Sequence, residues 1–200
     1  ALADVAIAGR DAASESRFER LGFTGDWQVR DGAWRVALRD LAVVRDGRGW
    51  PADASVDLDL QSGAAGIERI ALASAFVRLE DLTPFVSLVP ASRWVDSWFA
   101  LAPRGDVRAV DLKLARAPDE RLDFTVEAEF SGLGANPVGN VPGFESLAGE
   151  VRADSRTGRL ELRTAGARRD WPALFRTSLD VPELRGIVVW RAGQDAVRVV

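Results

Sequence analysis

The sequence predicts a mainly β protein, an antiparallel meander with a short helical pair around residues 83–101. Three observations carry this reading: long runs with an apolar side chain at every second position, turn sequences that set hairpin register, and one segment whose apolar spacing is helical. Leu122, Phe124, Val126, Ala128 and Phe130 alternate with Asp123, Thr125, Glu127 and Glu129. Successive strand residues point to opposite faces, so this run has one dry and one wet surface. Val110, Leu112 and Leu114 alternate with Asp111 and Lys113 in the same way, as do Val56, Leu58 and Leu60 with Asp57 and Asp59.

Three hairpins can be read with register. Asp31-Gly32 suits a two-residue turn with positive φ at both centres, which pairs Val29 with Trp34 and Trp27 with Val36. A four-residue loop over Ser155–Gly158 would pair Ala153 with Leu160 and Val151 with Leu162, setting Arg152 opposite Glu161. A loop over Ala192–Asp195 would place Trp190 opposite Val197. In each case apolar residues face apolar residues, the consistency expected of a real register.

Between residues 83 and 101 the spacing changes. Thr83 is placed to cap a helix with Pro84 at its first position, sharing a face among Phe85, Val86 and Val89. Ser92 is placed to cap a second helix with Trp94, Val95, Trp98 and Phe99 on one stripe. The pair reads as a plug for one end of the core, as a movable lid built on Phe85, Trp94, Trp98 and Phe99, or as a surface for a partner. Residues 131–144 are rich in Gly, Pro and Asn and read as a loop or irregular edge, the one candidate boundary in an otherwise single unit over residues 1–200. Trp50-Pro51 and Trp171-Pro172 each follow a hairpin-like stretch, but their spacing is too uneven for a repeat.

Composition excludes several kinds of chemistry. The 200 residues hold no His, Cys, Met or Tyr. Structural zinc needs Cys or His, and a nucleophile–histidine triad needs its base. A net charge of −4 argues against nucleic acid as a partner. No stretch reaches the ~18–20 apolar residues that span a bilayer. The start at Ala1 without an initiator Met reads as a processed or excised segment. Without histidine an enzyme would depend on carboxylates. Glu127 and Glu129 lie on one strand face at about 6.5–7 Å by strand rise, near glycosidase spacing. They share that face with Asp123, so they read as a solubilising surface. The glycines at 132 and 134 lack the remainder of a dinucleotide loop. No cofactor site is expected and an enzyme is not.

The supply of one-faced apolar strands then has two explanations: a closed core in which sheet faces bury each other, or an open trough covered by something else. Periodicity is the same for both.

Several pieces, in order, resemble the YhdP family, AsmA-like proteins of Gram-negative bacteria distantly related to TamB. They are FVRLEDLTPFVSLVPAS, LAPRGDVRAVDLKL, FTVEAEFSGLGANP, VPGFESLAGEVRADSRTGRLELRT and LRGIVVWRAG, with LRDLAVVRDGRGWP upstream. The resemblance implies that the meander forms a curved, groove-like sheet, a periplasmic β-groove segment of a longer, inner-membrane-anchored protein, with its anchor outside this sequence. It further implies that phospholipid acyl chains are its partners and that it conducts phospholipids between inner and outer membrane, supporting the outer-membrane barrier. No catalytic residues come with it. On this reading Val110, Leu112, Leu114, Leu122, Phe124, Val126, Phe130, Leu160 and Leu162 line the groove. The rival expectations are a structural β scaffold for protein contacts and, behind it, a carboxylate glycosidase.

Overall fold

The computed structural model describes residues 2–8, 15–63, 66–86, 93–117, 121–139, 143–170, 179–192 and 197–199. In chain order these form β1 (Leu2–Ala8), β2 (Glu15–Arg30), β3 (Ala33–Arg45), β4 (Arg48–Gly49), β5 (Val56–Gly63) and β6 (Gly66–Arg78). Two helices follow, α1 (Leu79–Val86) and α2 (Arg93–Leu101). The chain then returns to strands: β7 (Arg104–Arg116), β8 (Leu122–Ala135), β9 (Gly143–Asp154), β10 (Thr157–Asp170), β11 (Leu179–Ala192) and β12 (Val197–Val199).

All twelve strands belong to one antiparallel sheet that is open rather than closed into a barrel. Each strand lies beside its sequence neighbour, except that the short β4 folds back on β3 and leaves β5 to continue the sheet. The alternation in sequence therefore becomes rows across the sheet. Val36, Leu58, Leu72, Leu112, Val126 and Ala153 stand opposite one another in successive pairs. Gly158 and Trp190 carry the same row through β10 and β11. At ~4.8 Å per strand this row is about 34 Å long.

The Asp31-Gly32 hairpin has the predicted register, Val29 opposite Trp34 and Trp27 opposite Val36. Both turn residues have positive φ, 48° and 77°. A Cβ at Gly32 would meet the Ser62 carbonyl oxygen at 2.8 Å. Gly32→Val combines that clash with a β-branched residue at positive φ. It should lower stability by about 2–3 kcal/mol, read as a lower midpoint in chemical denaturation; an unchanged midpoint would contradict the turn.

Two other registers differ from prediction by two positions. Ala153 faces Gly158 and Val151 faces Leu160, because the β9–β10 turn closes at Ser155-Arg156. The Asp154 carboxylate accepts the Arg156 and Thr157 N–H groups, each at 2.7 Å, and so pulls the turn shut earlier than glycine placement suggests. Arg152 consequently bonds Glu127 and Glu150 rather than Glu161. Trp190 faces Val199 and Ala192 faces Val197, so the β11–β12 ladder takes in Ala192. The connecting residues 193–196 lie outside the described set, as do Ser92, Val89 and Trp171-Pro172. A two-position slip leaves every side chain on its expected face.

The expected loop after Phe130 begins later, at Asn136, since β8 runs on through Ala135. Gly132 takes φ 62° beside a shift in register, a bulge that lets the strand absorb an extra residue and continue. Similar bulges occur at Asp40 in β3 and Ala109 in β7, with φ 51° and 48°.

Helix α1 starts at Leu79, not at a Thr83 cap, and Pro84 lies inside it. Proline has no N–H to give the carbonyl four residues back. That carbonyl, on Glu80, instead accepts from Arg45 Nη1 at 3.1 Å. The first turn of α1 is further tied to the sheet through Glu80 Oε2, which accepts the Gly105 N–H at 2.8 Å, and Asp81 Oδ2, which accepts from Trp50 Nε1 at 2.7 Å. Beneath this clasp Leu41, Ala54 and Phe76 form a buried cluster with Leu38, Trp50 and Val56. Phe18 is fully buried and its ring lies 6.0 Å from that of Phe85.

Asp81 is only 2% exposed, and burial pushes its carboxyl above the ordinary 3.8 despite the Trp50 bond and nearby Arg45. A raised value means that the folded state binds the proton more tightly than the unfolded chain. Stability from this group therefore rises as pH falls through the raised value and stops changing below the ordinary one. Melts of wild type and Asp81→Asn between pH 7 and pH 4 should show wild type gaining on the variant with acidification. A constant difference would contradict the burial effect.

Candidate site on the uncovered apolar face of the sheet

The central strands carry their apolar side chains on one face, and no protein layer covers that face among the described residues. Val110, Leu112, Leu114, Val126, Leu160 and Leu162 are all half-buried, and Phe124 is 37% exposed. Phe18 and Phe76 are fully buried, and Leu41, Val43, Val77, Val95 and, on β8 itself, Ala128 are nearly so. Phe130, expected on the same wall, is 9% exposed and pairs with Gly149, whose missing Cβ leaves room for its ring. Gly158 gives Trp190 the same room, since a Cβ there would overlap the indole. Leu122 stands opposite Arg116 at the start of β8, and its side chain lies outside the described set.

Register extends the face beyond the residues singled out from sequence. Leu114 continues through Ile70 and Leu60 to Trp34, and Leu112 through Leu72 and Leu58 to Val36. These rows reach Trp27 and Val29 at the far hairpin, where Trp27 is 71% exposed and Trp34 49%. The signal for them was the same period-two alternation, already present in β3 and β5. Ser74 falls in the row of Val56 and Val110 without interrupting it chemically, because its Oγ donates internally to the Ser55 carbonyl at 2.7 Å.

The opposite face is ionic. Arg35 pairs with Asp59, Arg39 with Asp57, and Arg152 with Glu127. Glu161 accepts from Arg163 and Arg159, which hold its carboxyl below the usual range. Asp154 is lowered by the backbone N–H groups of Arg156 and Thr157. These are exposed ladders, each worth little to stability, that keep one side of the sheet wet. Glu127 and Glu129 both lie on this open face, and Glu127 is engaged by Arg152 at 2.8 Å. In register Glu127 stands opposite Asp111 and Glu129 opposite Glu150, so each carboxylate has a second acid beside it on the adjacent strand of this exposed face. Among the described residues no cluster of three or more acidic, His or Cys side chains could hold a metal, and no helix is long and apolar enough to cross a membrane.

The helical pair sits at the β6–β7 end. Val95 is buried, Trp98 is half-buried with Nε1 donating to Thr83 Oγ1 at 3.4 Å, and Phe85 and Phe99 are 40% and 44% exposed. Trp94 lies within α2, with its side chain outside the described set.

The described residues thus form an open antiparallel meander with one ionic face and one apolar face. The YhdP protein family model matches residues 2–200, and the chain belongs to that family. No curated protein and no solved structure matches it.

Proposed function

We propose that the chain is a segment of a periplasmic β-groove that carries phospholipid acyl chains along its apolar face between inner and outer membrane. The observation that carries this reading is the row of half-buried Leu, Val and Ile side chains crossing the central strands with no layer over it. A scaffold with a filled core would bury those residues. Leaving an acyl chain in water costs about 0.8 kcal/mol per methylene, above roughly 10 kcal/mol for a sixteen-carbon tail. A dry wall removes most of that cost without gripping the headgroup, which suits a ligand that must slide. Val110, Leu112, Leu114, Phe124, Val126, Leu160 and Leu162 supply the wall, and Phe85, Trp98 and Phe99 a lid at the helical end. Attachment to the inner membrane belongs to a segment outside these residues.

The test is organic extraction and mass spectrometry of the purified protein. Phospholipid should be recovered at a fixed ratio to protein and displaced by a spin-labelled analogue whose signal is immobilised. A lipid-free protein that leaves the analogue mobile would overturn the reading.

A further inference from the structure

At the end of the sheet remote from the helices, three central hairpins carry cations that their neighbours leave unpaired. Across the ionic face Arg35, Arg39 and Arg152 are held by Asp59, Asp57 and Glu127. Arg69 on β6, Arg116 at the end of β7 and Arg156 in the β9–β10 turn are exposed, and none forms an ion pair among the described residues. Arg116 stands two positions beyond Leu114, so it leaves the strand on the apolar face, opposite Leu122. Leu114 also borders a cavity of about 680 Å³, lined by Ile70, Phe124 and Ser155 and by Arg69 and Arg156. The apolar wall thus ends against guanidinium groups. Acids close by are engaged or turned elsewhere. Asp154 accepts the Arg156 and Thr157 N–H groups, Glu68 lies over Gly63 in the β5–β6 hairpin, and Asp123 stands opposite Ala115 on the ionic face. The other end of the same strands is shut by the buried cluster of Leu41, Ala54 and Phe76 and by the ties of α1 to the sheet.

We propose that this rim holds the phosphate of the lipid headgroup, with the acyl chains lying along the strands and their ends toward the helices. The inference rests on the lipid reading and adds a binding position and an orientation to it. A guanidinium presents a planar fork of donors that matches phosphate oxygens. From Arg116 back to Val110 the strand offers about 20 Å of apolar face on which the chains can lie. Arg69, Arg116 and Arg156 belong to three successive hairpins, whose centres lie two strands, about 10 Å, apart. A headgroup can therefore pass from one guanidinium to the next while its chains cross the apolar rows. Each contact is open to water and holds the phosphate loosely, as movement requires.

Two probes spin-labelled on the same chain test this with the purified protein: phosphatidylglycerol, and a diacylglycerol with identical chains and no phosphate. Wild type should bind phosphatidylglycerol about fivefold tighter. That preference should vanish in about 1 M salt, where the Debye length is ~3 Å. Arg116→Glu combined with Arg156→Glu should remove the preference while diacylglycerol still binds, which shows that the fold and the apolar wall are intact. If the double variant binds neither probe, the milder Arg116→Gln decides on the same comparison. Equal affinity of wild type for both probes, or a preference that survives the substitutions, would overturn the rim and leave the lipid reading standing. Binding of neither probe to wild type would overturn both. Inorganic phosphate, which lacks the chains, should leave phosphatidylglycerol in place; displacement would assign the cations to free phosphate and overturn the proposal. Orientation is read separately. The chain has no cysteine, so a nitroxide on Glu68→Cys marks the rim alone. It should broaden the signal of a headgroup-labelled phospholipid and spare one labelled at a chain end about 20 Å away. The reverse pattern would put the heads at the helical end and overturn the proposal.

Discussion

Val126→Asp should leave the domain folded, with its melting temperature lowered by no more than about 2–4 °C, a cost near 1 kcal/mol for a domain of this size. Val126 is half-buried between Leu112 and Ala153 on a face with nothing above it among the described residues, so the new carboxylate can keep its water. The same substitution should abolish phospholipid recovery, because an acyl chain lying along the row would strip the carboxylate of its water. In a closed core the carboxylate would be sealed away without a partner, at a cost of several kcal/mol against a total stability of about 5–15. Melts and lipid extraction on one preparation separate the outcomes. A collapsed fold would establish a filled core, and a stable variant with full lipid content would remove β8 from the path.

Asp106→Ala should be far more damaging to the fold. Arg78 is 7% exposed, and its Nε and Nη2 bond Asp106 at 2.7 and 3.2 Å while Nη1 has no acceptor among the described residues. Asp106 is the largest cause of the raised affinity of that guanidinium for its proton. Removing it leaves a buried cation with Asp81 and Glu80 as its remaining acidic neighbours. The loss should be about 2–4 kcal/mol, since Asp106 itself is partly solvated. Denaturant titration reads it directly. Pairing the change with Arg78→Met should recover much of the loss, because the stranded charge goes with the arginine; a double variant as weak as the single one would contradict this account.

What was legible in the sequence was local. The Asp31-Gly32 turn and its register could be read because two residues fix the turn geometry and apolar pairs confirm it. The β9–β10 register slipped because glycine at position 158 suggested a turn residue, whereas it serves as the seat of the Trp190 ring and Asp154 makes the turn. The alternation in β7 and β8 identified a dry face. It could not say whether a second layer lay over it, since closed and open faces demand the same pattern. The clasp of Trp50 on Asp81 spans 31 residues, and nothing within either segment names the other as its partner. Asp81 becomes a buried tie only through packing.

The order of the strands has a consequence for how such a chain comes to be folded. Because nearly every strand is zipped to the one made just before it, a growing end can lock into place on the part already formed. No piece must wait for a distant partner, so the entropic cost of closing long loops is largely avoided. Stability is close to a sum over adjacent pairs, as in stacked repeats. A chain threaded through a narrow opening from one end could set row by row as it emerged, and damage to one rung should loosen its neighbours while leaving remote rungs intact.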